Sequence, residues 1–129
     1  MRFRSMLTYA ALAITTLGTH GVVSAHTKVV ASTPAQGATV TRPGIVRITF
    51  SEALLPPTVA TSIVMTAMPG MANHSPMIIR NFKTTWSKDN RTLMMTLRKP
   101  LAAGSYEARW QAAGADGHRM SGTVSFKVS

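Results

Sequence analysis

Residues 105–112 read Ser-Tyr-Glu-Ala-Arg-Trp-Gln-Ala, so that polar and apolar side chains alternate along the stretch. The side chains of a strand point alternately to its two faces, so this pattern predicts a strand with one buried face. The buried face carries Tyr106, Ala108 and Trp110. The stretch therefore indicates a sheet with one side against a core.

Further short segments are typical of strands and are separated by turn residues. Two of them alternate clearly: residues 123–128, and residues 45–50 with Ile45 as the exception. The other candidate strands are residues 27–31, 61–66, 92–97 and a mixed stretch, 77–85, that holds one or two strands. After residue 26, no long stretch shows helical periodicity. About seven short strands at this spacing predict an all-β domain, a β-sandwich or a small barrel.

The first 25 residues are predicted to be a secretory signal peptide. Arg2 and Arg4 supply its positive start, residues 7–17 are largely apolar, and Val23-Ser24-Ala25 offers the small residues of a cleavage site. An uncleaved membrane anchor is the alternative, but an apolar run of about 11 residues is too short to span a bilayer of roughly 30 Å. We therefore expect an exported, periplasmic domain of residues 26–129.

The chain is strongly basic, with 14 Lys and Arg against 4 Asp and Glu. A net charge of +10 at pH 7 would suit nucleic acid or an anionic membrane surface as a partner. The basic residues are scattered, however, and never form a block of like charges. We interpret them as a solvated surface and expect no nucleic-acid partner.

Cysteine is absent from the chain, whereas methionine is abundant, with nine residues. An exported domain without disulfides must be stabilised by packing. The same absence removes thiolate as a metal ligand, so a soft ligand in this protein has to be a methionine thioether.

Residues 65–77, the methionine segment, read Met-Thr-Ala-Met-Pro-Gly-Met-Ala-Asn-His-Ser-Pro-Met. Its Pro69, Gly70 and Pro76 exclude a regular helix, so the segment is predicted to be a loop at the surface. Thioether sulfur is soft and neutral and suits Cu(I), and an imidazole nitrogen can add to the set. The candidate Cu(I) ligands are Met65, Met68, Met71, His74 and Met77.

The alternative explanation is that these methionines provide adaptable packing or a contact surface for another protein. The proline, glycine and histidine among the sulfurs favour ligands. Met65 is the least secure candidate, because it falls at the end of a predicted strand and can point into the core. The methionines beyond the segment are interpreted as structural: Met94, Met95 and Met120.

Signal cleavage before His26 would leave a histidine with a free α-amine. The amine and the imidazole Nδ1 of one residue chelate a metal together, and such nitrogen donors favour Cu(II). His118 follows Asp116 by two residues in a glycine turn, so both can face one ion. We predict His26 and His118 as nitrogen ligands of Cu(II), and Asp116 as a ligand or a close partner of one. Glu52, at the end of a predicted strand, would be a weak or outer carboxylate.

Each of these residues also has a simpler explanation. A terminal histidine can be frayed, an Asp-Gly-His turn can be closed by a hydrogen bond, and Glu52 can be a solvated charge. Their occurrence in one small chain with a signal peptide and a methionine segment favours a copper site.

Residues 26–129 resemble the CopC-type periplasmic copper resistance and copper carrier proteins. The resemblance rests on His26, Trp110 and residues 32–35, 50–52, 65–77, 101–106, 116–118 and 122–128. It implies an immunoglobulin-like Greek-key β-sandwich or barrel with two copper sites at opposite ends. It carries the Cu(II) ligands over to His26, Asp116 and His118, with Glu52 nearby, and the Cu(I) ligands to a subset of the methionine segment. The chain departs from the family at Arg119, where proline is common, and a positive charge there is expected to weaken Cu(II) binding.

These observations lead to the hypothesis of a monomeric copper carrier or buffer that confers copper tolerance. It would exchange copper with membrane or outer-membrane transport proteins, and it is not expected to be an enzyme. The alternative is a mononuclear copper oxidase or monooxygenase, since such enzymes use an N-terminal histidine with a second histidine. Additional carboxylates oppose that chemistry, because a catalytic metal keeps an open position.

Overall fold

The computed structural model describes residues 27–71 and 74–129, so the predicted signal peptide and His26 lie outside the described residues. One short 3-10 helix, Pro56–Thr58, interrupts an otherwise all-β structure. Within the described ranges, no helix is long and apolar enough to cross a membrane. The strands are β1 (Val29–Thr33), β2 (Thr39–Val40), β3 (Ile45–Phe50), β4 (Ala60–Ala67), β5 (Met77–Ile79), β6 (Phe82–Trp86), β7 (Thr92–Leu97), β8 (Gly104–Ala113) and β9 (Arg119–Val128).

The strands form two sheets that enclose one core. The first sheet has the order β1-β3-β7-β6, and the second has the order β2-β9-β8-β4-β5. Neighbouring strands are antiparallel, except that β2 runs parallel to β9. The chain changes sheet after β1, β2, β3, β5 and β7, whereas β4–β5, β6–β7 and β8–β9 are hairpins within a sheet. The predicted all-β, immunoglobulin-like sandwich is confirmed.

The strand count exceeds the prediction of about seven. The mixed stretch 77–85 holds two strands, because Arg80 and Asn81 interrupt it where the chain passes from one sheet to the other. The added strand β2 has only two residues and pairs with the end of β9. Alternation cannot be recognised in two residues, so the sequence pattern could not predict β2.

The core consists largely of alternate residues of the strands, as expected for sheets with one buried face. In β3, Val46, Ile48 and Phe50 are fully buried. The Phe50 ring meets Trp110 of β8 edge-on, with ring centroids 4.7 Å apart. Burial of these large apolar side chains is the main stabilising term of the fold. The inward residues of β8 and β9 that complete this part of the core are Tyr106, Ala108, Trp110, Ala112, Val124, Phe126 and Val128.

Tyr106 fixes the start of β8 against the segment before it. Its hydroxyl donates a 2.7 Å hydrogen bond to the backbone carbonyl of Ala102. Burial raises the pKa of this hydroxyl, so it remains a donor well above neutral pH. A tyrosine tied to the backbone just upstream is a recurrent feature of immunoglobulin-like sandwiches.

Gly104, the first residue of β8, allows a close approach to the end of β4. Its φ is +156°, and a β-carbon built on it would stand 2.6 Å from the backbone carbonyl oxygen of Ala67. That oxygen cannot move without displacing β4. We expect Gly104→Ala to lower the free energy of unfolding by about 1–3 kcal/mol, as overpacking does elsewhere.

Urea denaturation measures this effect. Gly44→Ala is the matched control, because nothing lies within 4 Å of the β-carbon position of Gly44. That control should leave the unfolding midpoint unchanged or raise it slightly. Equal midpoints for the two variants would contradict the role given to Gly104.

Candidate metal centres

The candidate ligands lie at the two opposite ends of β8. The methionine segment lies where β8 begins, since Ala67 pairs with Ser105. The turn 114–118 joins the other end of β8 to β9. The ten residues of β8 span about 30 Å at a rise of about 3.3 Å per residue. The two groups of candidates are therefore separated by the length of the sandwich.

Met68 and Met71 face each other across a tight turn. The N–H of each donates to the carbonyl of the other, at 3.5 Å from Met68 and 3.0 Å from Met71. Pro69 and Gly70 form the turn, and Gly70 has the positive φ, +76°, that a type II turn requires. Residues paired in this way extend their side chains to the same side. The turn thus holds two thioethers side by side, with 37% of Met68 and 56% of Met71 exposed.

A second methionine pair lies at the base of the segment, where Met65 of β4 is opposite Met77 of β5. Met77 is on the edge strand of its sheet and is 51% exposed. Met65 is only 6% exposed and belongs to the hydrophobic core, as its position at the end of a strand suggested. Its side chain contributes packing here, and its role as a copper ligand stays a prediction.

His74 presents an unpaired ring nitrogen. Its Nδ1 lies 2.6 Å from the carbonyl oxygen of Ser75. Because a carbonyl only accepts, Nδ1 carries a proton in this bond, and in the neutral ring the lone pair is then on Nε2. Nε2 is enclosed and has no hydrogen-bond partner among the residues that the structure describes. Buried polar atoms are normally paired, so this nitrogen is a suitable metal ligand.

The other end of the domain contains a cavity of about 170 Å³, here called the His118 cavity. Two of the four acidic residues of the chain and one of its four histidines share this small space. The structure thus brings together Glu52, Asp116 and His118, which the sequence predicted around one ion. The lining residues are Thr27, Glu52, Gly114, Ala115, Asp116, His118 and Met120.

Backbone hydrogen bonds bring the separate parts of this cavity together. The N–H of Ser51 donates to the carbonyl of Lys28 at 2.8 Å, and the N–H of Lys28 donates to Ser51 Oγ at 2.9 Å. These bonds hold the start of the described chain against the segment that carries Glu52. The N–H of Leu55 donates to the carbonyl of Ala113 at 2.9 Å, which ties the same segment to the end of β8.

Asp116 orients His118 within the turn. Asp116 Oδ1 accepts the backbone N–H of His118 at 3.0 Å, and Oδ2 accepts the ring Nδ1–H at 2.9 Å. These two bonds, the side-chain bond foremost, lower the pKa of the Asp116 carboxyl. A carboxylate that holds Nδ1 leaves Nε2 as the nitrogen for a metal. The imidazole is 84% exposed, so an ion can reach it. The geometry therefore favours Asp116 as the partner that orients His118.

Within residues 27–71 and 74–129, no three His, Cys, Asp or Glu side chains are grouped closely enough to hold one metal ion. Glu52, Asp116 and His118 line one cavity without forming a complete set of ligands. The fourth predicted residue, His26, lies outside the described residues. Thr27, which follows His26 in the chain, lines the cavity.

Thr27 and Met120 line the His118 cavity although neither was predicted as a ligand. Met120 was interpreted as structural, and it does pack against the core while half-buried. Its signal in the sequence was the spacing of two from His118, because alternate residues of an extended chain share a face.

Arg119, which lies between His118 and Met120 in the chain, does not line the cavity. Its guanidinium donates a 3.0 Å hydrogen bond to Gln111 Oε1. Its side chain is thus held away from the predicted Cu(II) ligands.

The sequence matches the family model of the CopC domain over residues 29–129. It is 40% identical over 107 residues to copper resistance protein C of Pseudomonas syringae pv. tomato, covering 83% of each chain. It is 36% identical over 126 residues to copper resistance protein C of Xanthomonas campestris pv. juglandis, covering 98% of this chain and 97% of that protein.

Solved structures share the same sandwich. PcoC, a methionine-rich copper resistance protein from Escherichia coli, superposes with a TM-score of 0.72 at 30% identity, over 81% of this chain and 100% of its own. CopC from Methylosinus trichosporium OB3b shares the fold, with a TM-score of 0.62 at 24% identity over 81% of this chain and 94% of its own.

Proposed function

Because the chain belongs to the CopC family, we propose that it is a periplasmic copper-binding protein with one site for each copper valence. Cu(II) binds at the processed N-terminus and Cu(I) binds in the methionine segment. The observation that carries this proposal is the placement of three exposed thioethers at one end of β8 and of His118 with two carboxylates at the other.

The methionine segment supplies the soft donors. The side chains of Met68, Met71 and Met77 are exposed although they are large and apolar, and exposing them to water is unfavourable. Their thioethers are available there as soft ligands. His74 adds an imidazole nitrogen, Nε2, as a further donor. Thioethers need no deprotonation, so Cu(I) binding here does not compete with protons at the sulfurs.

The His118 cavity supplies the nitrogen and oxygen donors. The two acidic residues outside the cavity are already engaged: Glu107 pairs with Arg109 at 2.7 Å, and Asp89 accepts hydrogen bonds from Ser87 and Arg91. The two carboxylates that line the cavity thus concentrate negative charge in an otherwise basic protein. His26 is one peptide bond from Thr27, so its amine and imidazole can complete a tetragonal Cu(II) site with His118.

The role that fits two such sites is a copper carrier or buffer, exported by a signal peptide of residues 1–25 and active as a monomer. Its partners would be copper-transport proteins of the inner or outer membrane. No catalytic step is required. Sustained peroxide production or substrate oxidation by the copper-loaded protein, with a reductant supplied, would favour the alternative of a copper oxidase or monooxygenase.

Separate titrations of the processed protein with Cu(I) and Cu(II), with X-ray absorption at each end point, test the proposal. We expect stoichiometric uptake of both valences, sulfur scattering for Cu(I) and nitrogen/oxygen scattering for Cu(II). Failure to bind either valence would overturn the proposed function. Failure of the methionine segment to contribute to Cu(I) binding, or of the His118 cavity to contribute to Cu(II) binding, would overturn the assignment of the two sites.

A further inference from the structure

Met120 places a thioether in the wall of the His118 cavity, where only nitrogen and oxygen ligands were predicted. Gly114 leaves open the space that the surrounding side chains share. A β-carbon built on Gly114 would stand 3.3 Å from Asp116 Oδ1, 3.4 Å from Met120 Cε and 3.8 Å from Thr27 Oγ1. The methyl end of Met120 and the carboxylate that orients His118 therefore converge on one small region.

The strand pattern directs Met120 into this region. Met120 pairs with Ala112, which is fully buried, so both side chains lie on the inner face of the sheet. Met120 occupies the position on β9 closest to the turn that carries His118 on this face. A methionine side chain has three rotatable bonds, so its sulfur can turn toward an ion without a backbone movement.

We propose that Met120 is a thioether ligand that allows the His118 cavity to bind Cu(I) as well as Cu(II). This inference rests on the proposed function of the cavity and adds a soft donor to its ligands. Imidazole binds copper of either valence, carboxylate oxygen suits the divalent ion, and neutral thioether sulfur suits the monovalent ion. Copper at this end is then retained in both valences, and the methionine segment is not the sole Cu(I) position.

Packing alone is the competing explanation for Met120, because the residue also contacts the core. Substitution of Met120 by leucine distinguishes the two explanations. Leucine has a similar volume and apolar character, so it conserves packing with little loss of stability, but it has no donor atom. The matched control is Met94→Leu, since Met94 is also half-buried but lies on β7, opposite Arg47 and Thr85 and away from the cavity.

The experiment uses the processed protein with Met68, Met71 and Met77 replaced by leucine, which removes the exposed thioethers of the methionine segment. Cu(I) is titrated anaerobically against a chromophoric chelator, and X-ray absorption is recorded on the Cu(I) form. We expect this background to retain Cu(I) with both sulfur and nitrogen scattering. Adding Met120→Leu should remove the sulfur scattering and weaken Cu(I) binding by about tenfold or more, equivalent to about 1.4 kcal/mol. Adding Met94→Leu should change neither the sulfur scattering nor the Cu(I) affinity.

Cu(II) titration of the same variants distinguishes failure of this inference from failure of the proposed function. If Met120→Leu leaves the Cu(I) affinity and the scattering unchanged while Cu(II) still binds, Met120 is a packing residue and the inference is overturned. If the protein with all its methionines takes up neither valence, the proposed function and the inference fall together. Urea unfolding midpoints confirm that the leucine variants are folded.

Discussion

Replacing Met68, Met71 and Met77 by leucine should weaken Cu(I) binding at the methionine segment by at least about 100-fold, since even outer partners of metal ligands are worth about 10–100-fold. Cu(II) binding should be unchanged, because the His118 cavity lies at the other end of β8. The three side chains are exposed, and leucine keeps their apolar character, so the free energy of unfolding should change little. The loss would therefore report missing thioether ligands.

Anaerobic competition with a chromophoric chelator measures the Cu(I) affinity, and Met94→Leu is the control. Retention of the original Cu(I) affinity in the triple variant, with Met120→Leu also present to remove Cu(I) binding at the His118 cavity, would mean that these methionines form a contact surface. Met65→Leu, added to the triple variant, tests the buried member of the segment separately. Because Met65 belongs to the core, we expect that substitution to affect stability more than Cu(I) affinity.

His118→Ala, and separately acetylation of the processed N-terminus, should each remove the visible absorption and the paramagnetic spectrum of bound Cu(II). Each change deletes one of the three predicted nitrogen donors, and the two that remain are too few to hold Cu(II) in the tetragonal coordination that gives this spectrum. His118 is 84% exposed, so its loss should alter the free energy of unfolding by no more than about 0.5 kcal/mol. Cu(I) binding at the methionine segment should persist.

The matched control for this prediction is His74→Ala, the equivalent change at the other end of the domain. It should weaken Cu(I) binding and leave the Cu(II) spectrum intact. Intact mass must first establish that the purified chain begins at His26. An unaltered Cu(II) spectrum in both His118→Ala and the acetylated protein would show that the predicted N-terminal site is wrong.

The strands that build the core could be predicted from sequence because each carries its own alternation. Residues 45–50 and 92–97 were assigned with the bounds that the structure has, and the inner face of β8 was identified correctly. Strand β2 could not be predicted, since its pairing with β9 comes from the path of the chain and not from a local pattern. Secondary structure that exists only through a tertiary neighbour leaves no periodic signal.

The sequence predicted the types of candidate ligand better than their surroundings. The approach of Glu52 to His118 depends on how the chain after β3 is bonded to Lys28 and Ala113, which no spacing reveals. The pairing of Met68 with Met71 follows from a Pro-Gly turn and was within reach of turn rules. Met120 was the harder case, because an inward position at the end of a strand is equally typical of a core residue and of a cavity wall.

The length of β8 has a consequence for how two bound cations affect each other. Singly and doubly charged ions about 30 Å apart in water repel by only about 0.3 kcal/mol, and a Debye length of about 8 Å reduces this further. Occupation of one end therefore imposes almost no electrostatic penalty on the other. Such a domain can carry both copper ions at once, and two different acceptor proteins can remove them independently.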